Sequence, residues 1–260
     1  MRVSVIGPQG SGKTTFLAVL SRYVDRNPGC GVSLVPANAE TKDHITSVLL
    51  RLDRSEPPAP TVSGSCREFT WFLGGSALRS RHEISMFDAA GQDLEDVLIA
   101  LQGTGAIGPD GKPRRRTLTD HQREMQKRID QSDVLVFMLD LDSFDRKTDG
   151  QDQRVISEMV ESLFVQPAWQ QKQRIIVLSK ADLYTELLPQ AAWGESDKVR
   201  EFLRARVRCP YYSLHPRVFA PRPPGVMYVA AASISSEVVL DAGGEVKQRP
   251  VPVSGPAGLD

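Results

Sequence analysis

Cysteine is scarce and scattered in this chain of 260 residues: Cys30, Cys66 and Cys209 share no C-x-x-C spacing. An odd, dispersed set argues against a disulfide framework or a thiolate zinc site and fits reduced thiols in the cytoplasm. The four histidines (His44, His82, His121, His215) have no metal-ligand spacing either. Long apolar runs are missing. Nothing approaches the roughly 18 residues that span a bilayer, so no transmembrane segment is expected. The N-terminus enters the strand-like Val3-Ser4-Val5-Ile6 without the apolar stretch and cleavage site of a signal peptide. The final Gly255-Pro256-Ala257-Gly258-Leu259-Asp260 carries no cysteine for prenylation. Net charge is absent as well. Thirty-two Lys and Arg balance 32 Asp and Glu, which argues against a nucleic-acid partner. What remains, 40% hydrophobic and 25% charged residues, suits one α/β domain with insertions.

Strand-like and helix-like segments alternate, the pattern of a mostly parallel central sheet with helices on both faces. Val3–Ile6 is followed by a helix over 13–25, with Phe16, Leu17, Leu20 and Val24 on one face. A long irregular stretch comes next, helical near Ile45–Leu52. Arg67–Leu73 and Glu83–Phe87 alternate as strands around Gly74-Gly75, predicting one antiparallel edge hairpin. Val134–Leu141 and Ile175–Leu178 are buried-strand runs with helical spacing over Val155–Phe164 between them. Lys198–Val207 predicts another helix and Val226–Ala230 the last sheet strand. Residues 102–120, with Arg114-Arg115-Arg116, and the Pro-rich 209–224 stand out as insertions.

One motif defines the chemistry. Gly7-Pro8-Gln9-Gly10-Ser11-Gly12-Lys13-Thr14 matches G-x-x-x-x-G-K-[ST] between a strand and a helix. Glycines let the loop curl so that consecutive backbone N–H groups face phosphates at a helix N-terminus. Gly10, Ser11, Gly12, Lys13, Thr14 and Thr15 form the expected nucleotide cradle. Lys13 reaches the β- and γ-phosphates, a catalytic as well as a binding role, and Thr14 ligates Mg²⁺.

Three further motifs follow in order, and with them the chain resembles the Ras/Arf-like small GTPase superfamily. Asp88-Ala89-Ala90-Gly91-Gln92 is similar to its D-x-x-G-Q element. The resemblance implies that Asp88 holds Mg²⁺ through water, Gly91 senses the γ-phosphate and Gln92 orients the attacking water. Ser179-Lys180-Ala181-Asp182 is similar to [NT]-K-x-D, with serine at the first position. Asp182 would accept from guanine N1 and N2, with the Lys180 stem over the ring. Val229-Ala230-Ala231-Ala232-Ser233 stands where the family carries S-A-K, Ala232 matching its alanine. Pro60-Thr61-Val62 resembles the switch I threonine segment of Arf-like proteins, which makes Thr61 a Mg²⁺ ligand and Thr41 its competitor. The Gly-Pro-x-Gly-Ser-Gly-Lys-Thr-Thr start also resembles prokaryotic Ras-like GTPases belonging to larger systems. These motifs place a Ras-like P-loop domain over residues 1–233 and a tail or hairpin over 234–260, where Gly243, Gly244, Pro250, Pro252 and Pro256 oppose a closing helix.

The resemblance implies a cytoplasmic molecular switch that binds GTP and GDP with Mg²⁺ and meets a protein effector or regulator through its switch regions. Gln9 occupies a position where many small GTPases carry glycine, so hydrolysis is expected to be slow. Arg114–Arg116 are read as solvated loop or partner-binding charges, with an internal arginine finger as the second reading. The alternatives are a P-loop ATPase or kinase, in which Ser179–Asp182 is incidental, and a nucleotide-locked structural module with negligible turnover.

Overall fold

The computed structural model describes residues 1–7, 10–54, 56, 66–75, 82–89, 93–94, 96–97, 106–107, 113–114, 118–140, 169, 171–206, 226–240 and 246–257. The chain opens with β1 (Arg2–Ile6) and α1 (Lys13–Arg26). Asn27 ends α1 by returning its backbone and side-chain N–H groups to the Tyr23 carbonyl, and Pro28 prevents continuation. Next come β2 (Ser33–Pro36), α2 (Ala39–Asp53), β3 (Cys66–Gly74) and β4 (His82–Ala89). The two-residue strands β5 (Ala106–Ile107) and β6 (Pro113–Arg114) pair with each other. They are followed by α3 (Asp120–Asp130), β7 (Val134–Asp140), β8 (Gln173–Ser179), α4 (Ser196–Arg206) and β9 (Val226–Ala230). β10 (Ala232–Leu240) and β11 (Val246–Ala257) close the described chain.

Seven of these strands form one sheet in the order β2-β3-β4-β1-β7-β8-β9. β1 runs parallel to β4 and β7, β8 parallel to β7 and β9, and β3 runs antiparallel to both β2 and β4. This is the expected α/β P-loop architecture. The β3–β4 hairpin stands toward one edge, and β2 adds a further strand outside it.

Side-chain alternation divides the core between two faces. Val3 and Val5 of β1 and Val134, Val136 and Met138 of β7 pack with Phe16 and Leu17 of α1 and Ile45 and Val48 of α2. The intervening Leu135, Phe137 and Leu139 are buried on the opposite face. There the Phe137 ring lies 6.3 Å from Trp169, whose Nε1 donates to Asp130 at the end of α3. Burial of all seven β7 residues follows from helices on both sides.

α2 is longer than its sequence signal. Asn38 caps it by accepting from the Thr41 N–H, and Thr41, Ile45, Val48 and Leu52 form its buried stripe. Arg22 of α1 grips Asp53 of α2 with two hydrogen bonds of 2.8 and 2.9 Å. The C-terminal segment is an antiparallel hairpin, β10–β11, separate from the main sheet and close to α1 and α2. Pro250 and Pro252 sit opposite Ser236 and Ile234. Two positions apart, both occupy the same class of cross-strand site, and the non-hydrogen-bonded class needs no N–H. Hence residues that break a helix are accommodated here in a strand. Among the described residues no helix is long and apolar enough to cross a membrane.

Candidate functional site

From β1 the chain builds β2, β3 and β4 on one side, then crosses to build β7, β8 and β9 on the other. β1 therefore marks the point where strand order reverses. In open α/β sheets the crevice outside the carboxyl ends of the strands at that point is where ligands bind. Five parallel strands end there: β1 at Ile6, β4 at Ala89, β7 at Asp140, β8 at Ser179 and β9 at Ala230. The motifs found in the sequence thus share one rim.

The loop after β1 is shaped by two distinct glycine requirements. Gly10 (φ +78°) and Gly12 (φ +82°) are left-handed in open space, so backbone conformation alone selects them. At Gly7 the limit is contact: a Cβ would lie 2.6 Å from Ser11 Oγ and 2.7 Å from the Met138 carbonyl oxygen. α1 begins at once, Phe16 N–H donating to Gly12 O at 2.8 Å, with no side-chain cap on its first amides. Those amides and the helix dipole suit an anion. Lys13, only 7% exposed, donates from Nζ to Gly7 O at 3.0 Å. Ser11 Oγ is fully buried with no hydrogen-bond partner among the described residues. Thr15 is buried and Thr14 half-buried in the first turn of α1. An ammonium, uncapped helix amides and an unpaired hydroxyl around a glycine-shaped loop fit a polyphosphate.

Asp88 pairs in register with Val5, which brings the end of β4 beside the loop; for Asp88 the backbone alone is described. Thr41, the competitor of Thr61 for the switch I position, is engaged within the fold. Thr41 is fully buried in the first turn of α2, where its Oγ1 accepts from the Thr70 N–H of β3. Thr61, Gly91 and Gln92, like Gln9, lie outside the described residues. The chain just beyond Gln92 docks on the start of α3, with Gln122 donating to Asp96 at 2.8 Å and His121 3.8 Å from Asp93. Gln122 also closes a capping box with Thr119.

On the other side of the crevice, Ser179 Oγ donates to Leu139 O at 3.2 Å, joining the ends of β8 and β7. Lys180 takes a left-handed conformation (φ 58°, ψ 33°), and its Nζ meets Asp140 Oδ2 at 2.6 Å. Asp182 sits in the following 3-10 turn, Ala181–Tyr184. Burial pushes its carboxyl above the ordinary value of 3.8, against the opposing pull of its own backbone N–H and of Lys180. Its Oδ1 is buried without a hydrogen-bond partner among the described residues, an acceptor with capacity to spare. Ala181 N–H donates to Ala231 O at 3.3 Å, and Ala231 N–H to Leu178 O at 2.8 Å. The alanine turn after β9 is thereby fastened beside the Ser179–Asp182 loop, and Ala232 follows as the first residue of β10. Trp193 supports it from below, its carbonyl accepting from Ala230 N–H and its Nε1 donating to Leu188 O. Sequence reasoning passed over Asp140, whose signal was a lone acid within the apolar run from Val134 to Leu141.

No protein-family model matches the sequence, and no curated protein is significantly similar to it. Solved structures do overlap. The GTPase-like domain of S. cerevisiae Ski7, bound to GTP, is similar at 14% identity and a TM-score of 0.43. The Methanosarcina barkeri Roco2 RocCORdC structure, bound to GDP, gives 11% and 0.35. A signal recognition particle receptor SRb-GTP/SRX complex from Chaetomium thermophilum gives 15% and 0.40. Each match covers 89% of this chain; it spans 42% of the Ski7 and Roco2 chains and 89% of the SRb structure's chain. At such scores the overlap says nothing of what this chain binds, which its own residues must carry.

Proposed function

We propose that this chain is a cytoplasmic guanine-nucleotide-binding switch that hydrolyses GTP slowly, with residues 1–233 as the nucleotide domain and 234–260 as an appended hairpin. The observation that carries the reading is the buried oxygen of Asp182, unpartnered among the described residues, on the same rim as the phosphate-loop motif. A carboxylate there can accept from guanine N1–H and the 2-amino group, donors that adenine lacks. On the phosphate side, Gly10, Ser11, Gly12, Thr14 and Thr15 offer backbone and hydroxyl groups, and Lys13 supplies charge. Thr14, Thr61 and Asp88 would hold Mg²⁺, which when bound neutralises charge on the phosphate oxygens. Gln92 would position water, and Gly91 would report the γ-phosphate to the segment docked on α3, the surface offered to a protein effector or regulator. Ser179, spent on Leu139 O, supports the base loop from beneath, and Ala232 supplies its amide to the base.

Chromatography of nucleotide released from purified protein by denaturation tests this reading, guanine nucleotide being the expected result. Asp182→Asn should weaken GDP binding and improve xanthosine diphosphate binding, because an amide N–H can face xanthine O2. An ATP preference in the wild type would reverse the proposal in favour of an ATPase. In single-turnover assays the rate should fall well below the roughly 1–100 s⁻¹ of kinases.

A further inference from the structure

Among the described residues Lys180 is the one non-glycine residue with positive φ. A side chain in that region crowds its own Cβ against the following carbonyl, so it persists only where neighbours enforce it. The salt-bridge partner of Lys180 is on another strand, 40 residues earlier in sequence. Asp140 ends β7, a strand buried at every position, and its side chain is 7% exposed against 37% for that of Lys180. Lys180 Nζ reaches Asp140 Oδ2 at 2.6 Å, while the preceding Ser179 donates to the preceding Leu139 O. Two consecutive residues at the end of β8 are thus tied to two consecutive residues at the end of β7. Beyond the left-handed residue the chain turns into Ala181–Tyr184, and that turn carries Asp182. A buried carboxylate holds an ammonium strongly because few waters compete for either charge.

We infer that Asp140 is a positioning residue for base selectivity. By anchoring the Lys180 ammonium it keeps residue 180 left-handed, and so keeps the Asp182 carboxylate aimed into the crevice. The same anchor stretches the lysine stem toward β7 and leaves its ammonium committed to Asp140 in place of ligand phosphate. This rests on the guanine reading given above, but assigns a separate residue by a separate contact.

The test compares dissociation constants for GDP, inosine diphosphate and ADP in the wild type, Asp140→Asn and Asp140→Ala, with thermal melting alongside. Inosine diphosphate lacks only the 2-amino group, so the GDP-to-inosine diphosphate ratio reports the aim of Asp182. The wild type should favour GDP. Both variants should lose about tenfold of that preference, the factor that 1.4 kcal/mol is worth, through weaker GDP binding with inosine diphosphate little changed. Adding Lys180→Gly to Asp140→Ala should return part of the ratio, since glycine takes the left-handed conformation without an anchor. If the variants bind GDP and inosine diphosphate with equal losses, Asp140 only supports the fold and the inference is overturned. If the wild type does not separate GDP from inosine diphosphate or ADP, the guanine reading fails, and this inference with it. Should the Asp140 variants fail to fold, Lys180→Met reads the pair from its more exposed end. An unchanged ratio there overturns the inference equally.

Discussion

Gly7 and Asp182 show how single positions constrain the crevice in different ways. At Gly7 the obstacle is matter: an added methyl meets the Ser11 hydroxyl of the same loop and the Met138 carbonyl of β7 at 2.6 and 2.7 Å. The Met138 carbonyl belongs to a buried central strand and cannot retreat, so Gly7→Ala should cost roughly 1–3 kcal/mol. Thermal melting would show that loss, and calorimetric titration should show GDP binding lost with it. Gly10→Ala, which meets open space, should cost only the left-handed backbone, on the order of 1 kcal/mol. At Asp182 the constraint is charge. Its folded-state pKa is raised above 3.8 by burial. Between 3.8 and that raised value the folded chain binds more protons than the unfolded one, so this group's contribution to stability falls as pH rises through the window. Base recognition has the opposite sign, because only the ionised carboxylate accepts two hydrogen bonds from guanine. GDP affinity should therefore decline on acidification starting above 3.8, while this group's cost to the ligand-free fold is relieved. Titration calorimetry across pH, with Asp182→Asn as the flat reference, checks both signs.

Elements differ in how plainly the sequence announces them. β1, the loop and α1 are legible because strand, glycines and apolar helix face lie within 26 contiguous residues. α2 was only half visible. Its buried stripe starts with a polar residue, Thr41, whose hydroxyl serves the backbone of β3, so periodicity registers only from Ile45. β2 has four residues and no apolar alternation; it is a strand because β3 offers it an edge. The Asp140–Lys180 contact was illegible for a similar reason: each partner reads as an ordinary strand end until parallel pairing brings Asp140 beside Ser179. The cap of α2 gives a direct test at this scale. Asn38→Ala removes the acceptor for Thr41 N–H and should destabilise the protein by about 1 kcal/mol, read as a lower denaturant midpoint at unchanged m-value. GDP affinity should hold, because α2 packs against α1, β2, β3 and β11 and supplies no residue to the phosphate-loop motif.

Across the whole molecule, the sheet and the hairpin are two separate hydrogen-bonded systems joined by a single residue, Ala231. Register in the seven-stranded sheet does not depend on how β10 meets β11. Lengthening the connection between Leu240 and Val246 then costs little more than loop entropy, about 0.6 kcal/mol for each doubling. A flexible peptide inserted there should leave GDP affinity intact. The same insertion between Ala230 and Ala232 should weaken it, by displacing the amide and carbonyl that fasten Ala231 to Leu178 and Ala181. Fluorescence titration of the two insertions separates these outcomes. The hairpin lies close to α1, the helix that begins at the phosphate loop. A dye or fluorescent module inserted between Leu240 and Val246 would consequently ride on a hairpin packed close to that helix.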